Sequence, residues 1–284
     1  MKKRLFISMQ YMEIGGAERS LLGLLDSLDY SRFEVDLFLY RHSGELMRFI
    51  PSQVNLLPEI PIYTTITRPI IQILKEGYWS IAWGRLRAKP QAKRFGKYHT
   101  NGENNSIYQY VADATTRYLP QINNVEYDLA ISFIMPHNIV KDKVNAKCKV
   151  AWIHTDYSNI AIDVECELKT WGAYDYIAAI SEDAKREFIL KFPTLADKVI
   201  VIENILSASF VREQALMEKP DLEGDIKLLT VGRFCYPKAL DQAVRICERL
   251  VKNGLPVKWY AIGYGDVDTV QKAIEECKMQ EHFI

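Results

Sequence analysis

The chain lacks most of the short signatures that would declare a chemistry outright. Its five cysteines, Cys148, Cys166, Cys235, Cys247 and Cys277, form no C-x-x-C pair and no zinc-type spacing. An odd, scattered set reads as reduced thiols rather than a disulfide framework. No second histidine or carboxylate stands at metal-ligand spacing, so no metal site is expected. The G-x-G-x-x-G, Walker A and G-x-S-x-G patterns are absent, which removes the dinucleotide, P-loop and serine-hydrolase fingerprints. No apolar run approaches the ~20 residues of a membrane-spanning helix. Lys2, Lys3 and Arg4 precede an apolar stretch, but Gln10 and Glu13 interrupt it, so no signal peptide is expected. Internal repeats and low-complexity tracts are missing too. The formal net charge is zero, so the molecule as a whole has no pull toward nucleic acid or anionic lipid.

What is present is an ordinary globular composition, 48% hydrophobic and 25% charged over 284 residues. That length accommodates two domains at about 150 residues each. Charge is unevenly spread. Residues 68–98 hold eight Lys or Arg against one acid, Glu76, a local balance of +7 that the rest of the chain must offset.

Apolar runs at Arg4 to Ser8, Glu34 to Tyr40 and Val54 to Leu57 read as strands, with a helix from about Ala17 to Leu28. Strand, helix, strand at this spacing implies a right-handed crossover and a parallel sheet. Thr64 to Gly96 reads as helical, broken by Gly77, Gly84 and Pro90, with Trp79 and Trp83 among its basic residues. Basic, tryptophan-bearing amphipathic sequence suits a membrane interface; the alternative is a helical pair packed on its own sheet with a solvated basic face. A polar stretch, Thr100 to Ser106, leads to another helix ending near Leu119-Pro120. Alternation then resumes: strands Tyr127 to Ile134, Lys149 to Ile153, Asp175 to Ile180 and Lys198 to Ile202, with helix Glu182 to Lys191 before the last. The first domain closes near Glu203 to Ser207, followed by a helical connector to about Met217 and a polar link, Glu218 to Asp225. A second α/β pattern begins with strand Ile226 to Val231 and helix Lys238 to Asn253. Strand Val257 to Ile262 and helix Val267 to Lys278 complete it. Two strands cannot bury both faces of a doubly wound sheet, so this second domain reads as unfinished.

Residues 227–238 organise the chemistry. The apolar run Leu228 to Val231 ends on Gly232 and delivers Arg233 and Lys238 into the turn before a long amphipathic helix. Ligands of open α/β sheets bind outside the carboxyl ends of the strands. Two cations beside free backbone N–H groups at a helix start suit a diphosphate, although such a turn can equally be a solvated connection. Gly15-Gly16 opens the first helix and lets backbone approach a ligand, unless it is simply a turn. His154 follows a buried-type strand, and Asp156 stands where it could hold that histidine or a sugar hydroxyl. His137 is a weaker instance of the same placement.

In order along the chain stand Gly15-Gly16-Ala17-Glu18, Trp152-Ile153-His154, Ala179-Ile180-Ser181-Glu182, Ile202-Glu203-Asn204, Val231-Gly232-Arg233 with Lys238, and Gly263-Tyr264-Gly265. This series resembles the large family of retaining glycosyltransferases of the GT-B fold, the group that includes sucrose synthases and bacterial mannosyltransferases. The resemblance runs along nearly the whole chain and is strongest from Asp175 to Gly265. It implies two Rossmann-like, doubly wound domains: residues 1–203 on the acceptor side and residues 204–284 as the first half of a nucleotide-sugar-binding domain. It further implies that Arg233 and Lys238 grip the donor diphosphate, with Gly15 and Gly16 presenting main-chain N–H groups to it, and that His154 acts at the transferred sugar. Asp156, Asn204 and Gly263 are further cleft candidates. No metal and no cofactor beyond the nucleotide-sugar co-substrate is implied. Three departures stand out. Asn204 is followed by Ile205 where glycine is usual, Ala239 replaces the glycine after the lysine, and the glutamate-bearing loop that holds the donor's sugar is missing.

The resulting expectation is an α/β, GT-B-like glycosyltransferase working in envelope or surface polysaccharide synthesis. Its donor is a nucleotide-sugar and its acceptor a sugar or a lipid-linked hydroxyl, and the truncated chain is expected to be inactive alone. Residues 68–97 are the candidate contact with an anionic membrane surface, and no nucleic-acid partner is expected. The location is cytoplasmic, with a peripheral position on the inner face of a membrane as the variant. The alternatives are a non-catalytic remnant that keeps acceptor or membrane affinity, and a nucleotide-sugar epimerase of the same overall fold.

Overall fold

A computed structural model describes residues 1–66, 68–99, 103–104, 106–217 and 221–284. The chain divides into two compact units, Met1–Ser209 and Phe210–Ile284.

Seven strands build the main sheet of the first unit: β1 (Lys3–Met9), β2 (Phe33–Leu39), β3 (Asn55–Leu56), β4 (Leu129–Ser132), β5 (Lys149–Ile153), β6 (Tyr176–Ala179) and β7 (Val199–Val201). They lie in the order β7-β6-β5-β4-β1-β2-β3, and every neighbouring pair is parallel. Leu5 to Met9 in β1 and Val150 to Ile153 in β5 are buried without alternation, as in a sheet covered on both faces. The strand order reverses between β1 and β4, which defines the switch point where such sheets bind ligands. The core joins Phe6, Phe38, Tyr63 and Tyr127 to a second aromatic group, Tyr157, Trp171, Phe188 and Phe192. The helix Glu182–Lys191 begins at Ser181, whose hydroxyl accepts from the N–H of Ala184 at 3.1 Å.

The run from Tyr127 to Ile134 is not one strand. Glu126–Tyr127 pairs with Asn145–Ala146, and only Leu129–Ser132 enters the main sheet. Gly84 and Pro90 likewise do not break the basic region, because both lie inside one continuous helix, Trp79–Tyr98. Gly77, at φ +88°, does separate it from the short helix Ile70–Lys75. Proline at position 90 removes one helical hydrogen bond, a cost met on the exposed side of the helix. Gly84 sits on the inner face, where a Cβ would lie 2.9 Å from the carbonyl oxygen of Ala114. Its smallness therefore seats the helix on the neighbouring one, Ser106–Thr115. Most of the expected polar stretch from Thr100 and the start of the link from Glu218 lie outside the described residues.

The second unit holds two parallel strands, β8 (Ile226–Val231) and β9 (Val257–Ile262), in register with Ile226 opposite Val257. Helices Leu240–Lys252 and Asp268–Cys277 bury one face around Val244, Cys247, Val257, Ala273 and Phe283. Residues 282–284 add alongside β9, with the Ile284 N–H donating to the Trp259 carbonyl at 2.8 Å. The opposite face leaves Leu229 at 53%, Val231 at 69% and Ile262 at 46% exposed. Among the described residues this sheet is covered on one side only.

Candidate functional site

Parallel pairing brings the residues that follow β1, β4, β5 and β7 to one edge of the first sheet. After β1 the chain runs through Gln10 to the Gly15-Gly16 loop, and Gln10 Nε2 donates to the carbonyl of Met135 beyond β4. The two sides of the switch point are thereby tied. Helix Gly16–Ser27 starts here, with Gly15 as its N-cap.

The two glycines differ in what surrounds them. A Cβ on Gly15 would lie 2.1 Å from Glu18 Oε2, so the Glu18 carboxylate folds back over the helix start. Glu18 stands three residues past the cap, the position that the glutamate of a capping box occupies. A Cβ on Gly16 would meet nothing within 4 Å. Room for a ligand therefore lies at Gly16, and the helix dipole there is already partly answered by Glu18.

His154 leaves the end of β5 with its ring 4.6 Å from that of Phe133, at the end of β4. That contact directs it toward the switch point. Burial pushes its pKa down to about 4, so the imidazole is neutral at pH 7. Its Nε2 is buried without a hydrogen-bond partner, which in a native interior calls for an explanation. Asp156 does not hold this ring. Its carboxylate accepts from the Ser158 N–H and hydroxyl and from Asn159 Nδ2, at 2.6–2.9 Å. Those bonds, the Ser158 hydroxyl first, keep its pKa low.

His137 has a structural position. It is 3% exposed, shares a 2.8 Å hydrogen bond with Ser132 Oγ, and packs 4.4 Å from the Trp171 ring. Burial, with the neighbouring His154, pushes its pKa down to about 3.

Asn204, beyond β7, accepts from Ser20 Oγ at 2.7 Å. Backbone closeness at this place comes from the other partner: a Cβ on Gly23 would lie 1.8 Å from the Ile205 carbonyl oxygen. Neither Ser20 nor Gly23 stands out by motif. A glycine in the middle of a leucine-rich helix, however, costs about 1 kcal/mol against alanine and so signals a packing reason.

In the second unit the loops after β8 and β9 close on each other. Gly232 N–H donates to the Ile262 carbonyl at 3.0 Å and Phe234 N–H to the Tyr264 carbonyl at 2.8 Å. A Cβ on Gly263 would lie 1.8 Å from the Gly232 carbonyl oxygen, and Gly265 stands at φ +137° against Phe234. Gly263 thus serves the approach of two backbones. At Gly232 a Cβ would make only ordinary contact with the Lys238 stem, 3.9 Å from its Cδ and Cε. Arg233 and Lys238 are both exposed, and among the described residues neither side chain enters a salt bridge. Ala239 follows at φ 47°, ψ 43°, a left-handed N-cap to helix Leu240–Lys252. A cavity of about 590 Å³ opens beside the turn, lined in part by Tyr236, Leu240, Gln242, Asp266 and Thr269. Among the described residues no group of three or more His, Cys, Asp or Glu is arranged to hold a metal ion.

No family model matches the chain, and no curated protein matches it. Solved structures do. A Staphylococcus aureus TarM variant in complex with fondaparinux, α-GlcNAc-glycerol and UDP superposes with TM-score 0.60 at 11% identity, over 99% of this chain and 76% of that one. HepE from Anabaena in complex with UDP-glucose gives TM-score 0.51 at 14% identity, over 99% and 67%. The amino-terminal domain of trehalose-6-phosphate phosphatase from Candida albicans gives 0.55 at 10% identity, over 99% and 70%. At these identities the likeness is one of fold, and the chain has a mixed α/β fold like that of Rossmann-like GT-B proteins.

Proposed function

We propose that the protein is a nucleotide-sugar-dependent glycosyltransferase that moves a hexosyl unit to an acceptor hydroxyl with retention. The observation that carries this reading is the placement of Arg233 and Lys238, exposed on the turn after β8 and without salt-bridge partners among the described residues. Two uncompensated cations at a strand's carboxyl end suit a diphosphate, and they also answer the charge that grows as it departs. In the transfer the bond between the sugar's anomeric carbon and the β-phosphate oxygen breaks. The acceptor oxygen bonds to that carbon on the same face, and its proton passes to the leaving phosphate. His154 adds a neutral, desolvated imidazole whose buried Nε2 has no hydrogen-bond partner and would meet a sugar hydroxyl once uncovered. Gly16 offers main-chain N–H groups in open space. Two chains of similar fold, TarM and HepE, are described in complexes with UDP and with UDP-glucose, which supports a nucleotide-sugar donor. A sugar acceptor, and a role in building envelope or surface polysaccharide, complete the proposal.

The direct test is release of nucleoside diphosphate from UDP- and GDP-sugars by the full chain, with and without saccharide acceptors. Isothermal titration with the corresponding diphosphates accompanies it. Binding that Arg233→Ala abolishes, without turnover, would reduce the proposal to a donor-binding module. Failure of every diphosphate to bind would reject it.

A further inference from the structure

The Trp79–Tyr98 helix is apolar on two opposite sides, and only one of them is used in folding. Its inner side buries Ile81, Ala82, Gly84 and Ala88. Its outer side carries Trp79, 68% exposed, Trp83, 60% exposed, and Leu86. Positions 79, 83 and 86 follow the i, i+4, i+7 spacing of a single helical stripe. Large indoles left in water along one line serve nothing in the fold, because the helix is already seated through Gly84.

The charges around the stripe sort themselves. Arg68 pairs with Glu76, the one acid of the region. Arg85 turns inward and donates from Nη1 to the carbonyls of Thr65 and Arg68. Lys75, Arg87, Lys89, Lys93, Arg94 and Lys97 remain exposed, and none enters a salt bridge among the described residues. Continuing along the outer side from Leu86, the stripe passes Pro90 and becomes basic at Lys93, Arg94 and Lys97. Aromatic residues at one end of a helix face and unpaired cations at the other match a headgroup layer, where indoles sit at the interface and cations meet lipid phosphates.

We propose that this outer face docks on an anionic lipid bilayer. Trp79, Trp83 and Leu86 enter the headgroup region, and Lys93, Arg94 and Lys97 lie against its phosphates. No helix among the described residues is long and apolar enough to cross a membrane, so the attachment is peripheral and reversible. It does not depend on glycosyl transfer, and its test involves no turnover.

The test is co-sedimentation of the full chain with vesicles of phosphatidylcholine alone and of phosphatidylcholine with 30% phosphatidylglycerol, at low and high salt. Binding should be confined to the anionic vesicles and should weaken as salt rises. Lys93→Glu with Lys97→Glu should lower the affinity at least about tenfold. Trp79→Ala with Trp83→Ala should lower it by a similar factor while leaving the melting temperature unchanged, since both side chains are exposed. Brominated lipid should quench tryptophan emission in the wild type and not in that double variant. Salt-sensitive binding that survives loss of both tryptophans would show a site for soluble polyanions and overturn the bilayer assignment. Absence of binding to anionic vesicles at low salt would overturn it as well, as would equal binding to both vesicle types.

Discussion

Gly23 faces the carbonyl oxygen of Ile205 so closely that a single added carbon would sit 1.8 Å from it. The obstacle is backbone rather than the tip of a flexible side chain, so relief requires moving either the helix or the segment after β7. Alanine would improve intrinsic helix propensity at position 23 by up to about 1 kcal/mol. Overpacking of this kind costs about 1–3 kcal/mol, so the clash should win. Gly23→Ala is expected to lower unfolding free energy by about 1–2 kcal/mol in urea titration. A stabilised variant would show that the contact is loose.

Gly16→Ala provides the contrast. Nothing stands within 4 Å of the new methyl group, and stability should stay within about 0.5 kcal/mol of wild type. If the space beside Gly16 belongs to a phosphate group, diphosphate affinity should nevertheless fall, by calorimetric titration. Unchanged affinity would remove Gly16 from the site.

Ala239 holds a left-handed conformation that glycine adopts without penalty. The penalty for a residue with a Cβ is about 1–2 kcal/mol, offset in part by the greater freedom glycine regains on unfolding. Ala239→Gly should therefore raise the stability of the second unit, by up to about 1 kcal/mol. Calorimetric scans of both proteins at one concentration decide it, and a lower transition for the variant would contradict the assigned backbone.

Arg233→Ala and Lys238→Ala should each weaken nucleoside diphosphate binding. A lost charge-assisted hydrogen bond in a desolvated site costs about 1.5–3 kcal/mol, or roughly ten- to a hundred-fold in Kd. Among the described residues neither side chain enters a salt bridge, so melting temperatures should not follow. Wild-type affinity in both variants would sink the diphosphate assignment.

His154 and His137 couple stability to pH. Both are pushed by burial below the ordinary histidine value, to about 4 and about 3. The unfolded chain takes up these protons near pH 6.5 and the folded chain does not. Their contribution is therefore complete above pH 6.5 and is lost as pH falls toward about 4 for His154 and about 3 for His137, at up to about 1.4 kcal/mol per pH unit for each histidine. Glu167, raised mainly by burial, acts in the opposite sense above the usual carboxylate range. A wild-type slope alone would mix these groups. The difference between wild type and His154→Gln isolates one proton, and equal slopes from pH 6.5 to 4.5 would show that His154 is not held neutral.

Legibility followed local sequence pattern. The strands Lys149–Ile153, Ile226–Val231 and Val257–Ile262 and the helix Glu182–Lys191 have the bounds expected from sequence. Unbroken apolar runs and the Ser181 cap mark them locally. The helix through Gly84 and Pro90 was not legible, because the reason for a glycine at position 84 is its close approach to Ala114 in a neighbouring helix. The reach of Asn204 to Ser20 was equally hidden, since it joins residues 184 positions apart. Glu18 at the third helical position is local, but its carboxylate's fold-back over Gly15 is set by the folded helix start. The left-handed turn at Ala239 was masked by the residue itself, since glycine would have announced it.

The seating of Gly84 on Ala114 also has an energetic consequence for the outer face of that helix. Peptides that become helical only on reaching a bilayer must order their backbone at that moment, and much of the attraction is spent there. The Trp79–Tyr98 helix, about 30 Å long at 1.5 Å per residue, is ordered before any encounter. Its indoles are displayed in advance like the teeth of a rigid comb. Adsorption should then leave the far-ultraviolet circular dichroism spectrum unchanged, in contrast to the rise in helicity that a folding-on-contact segment produces.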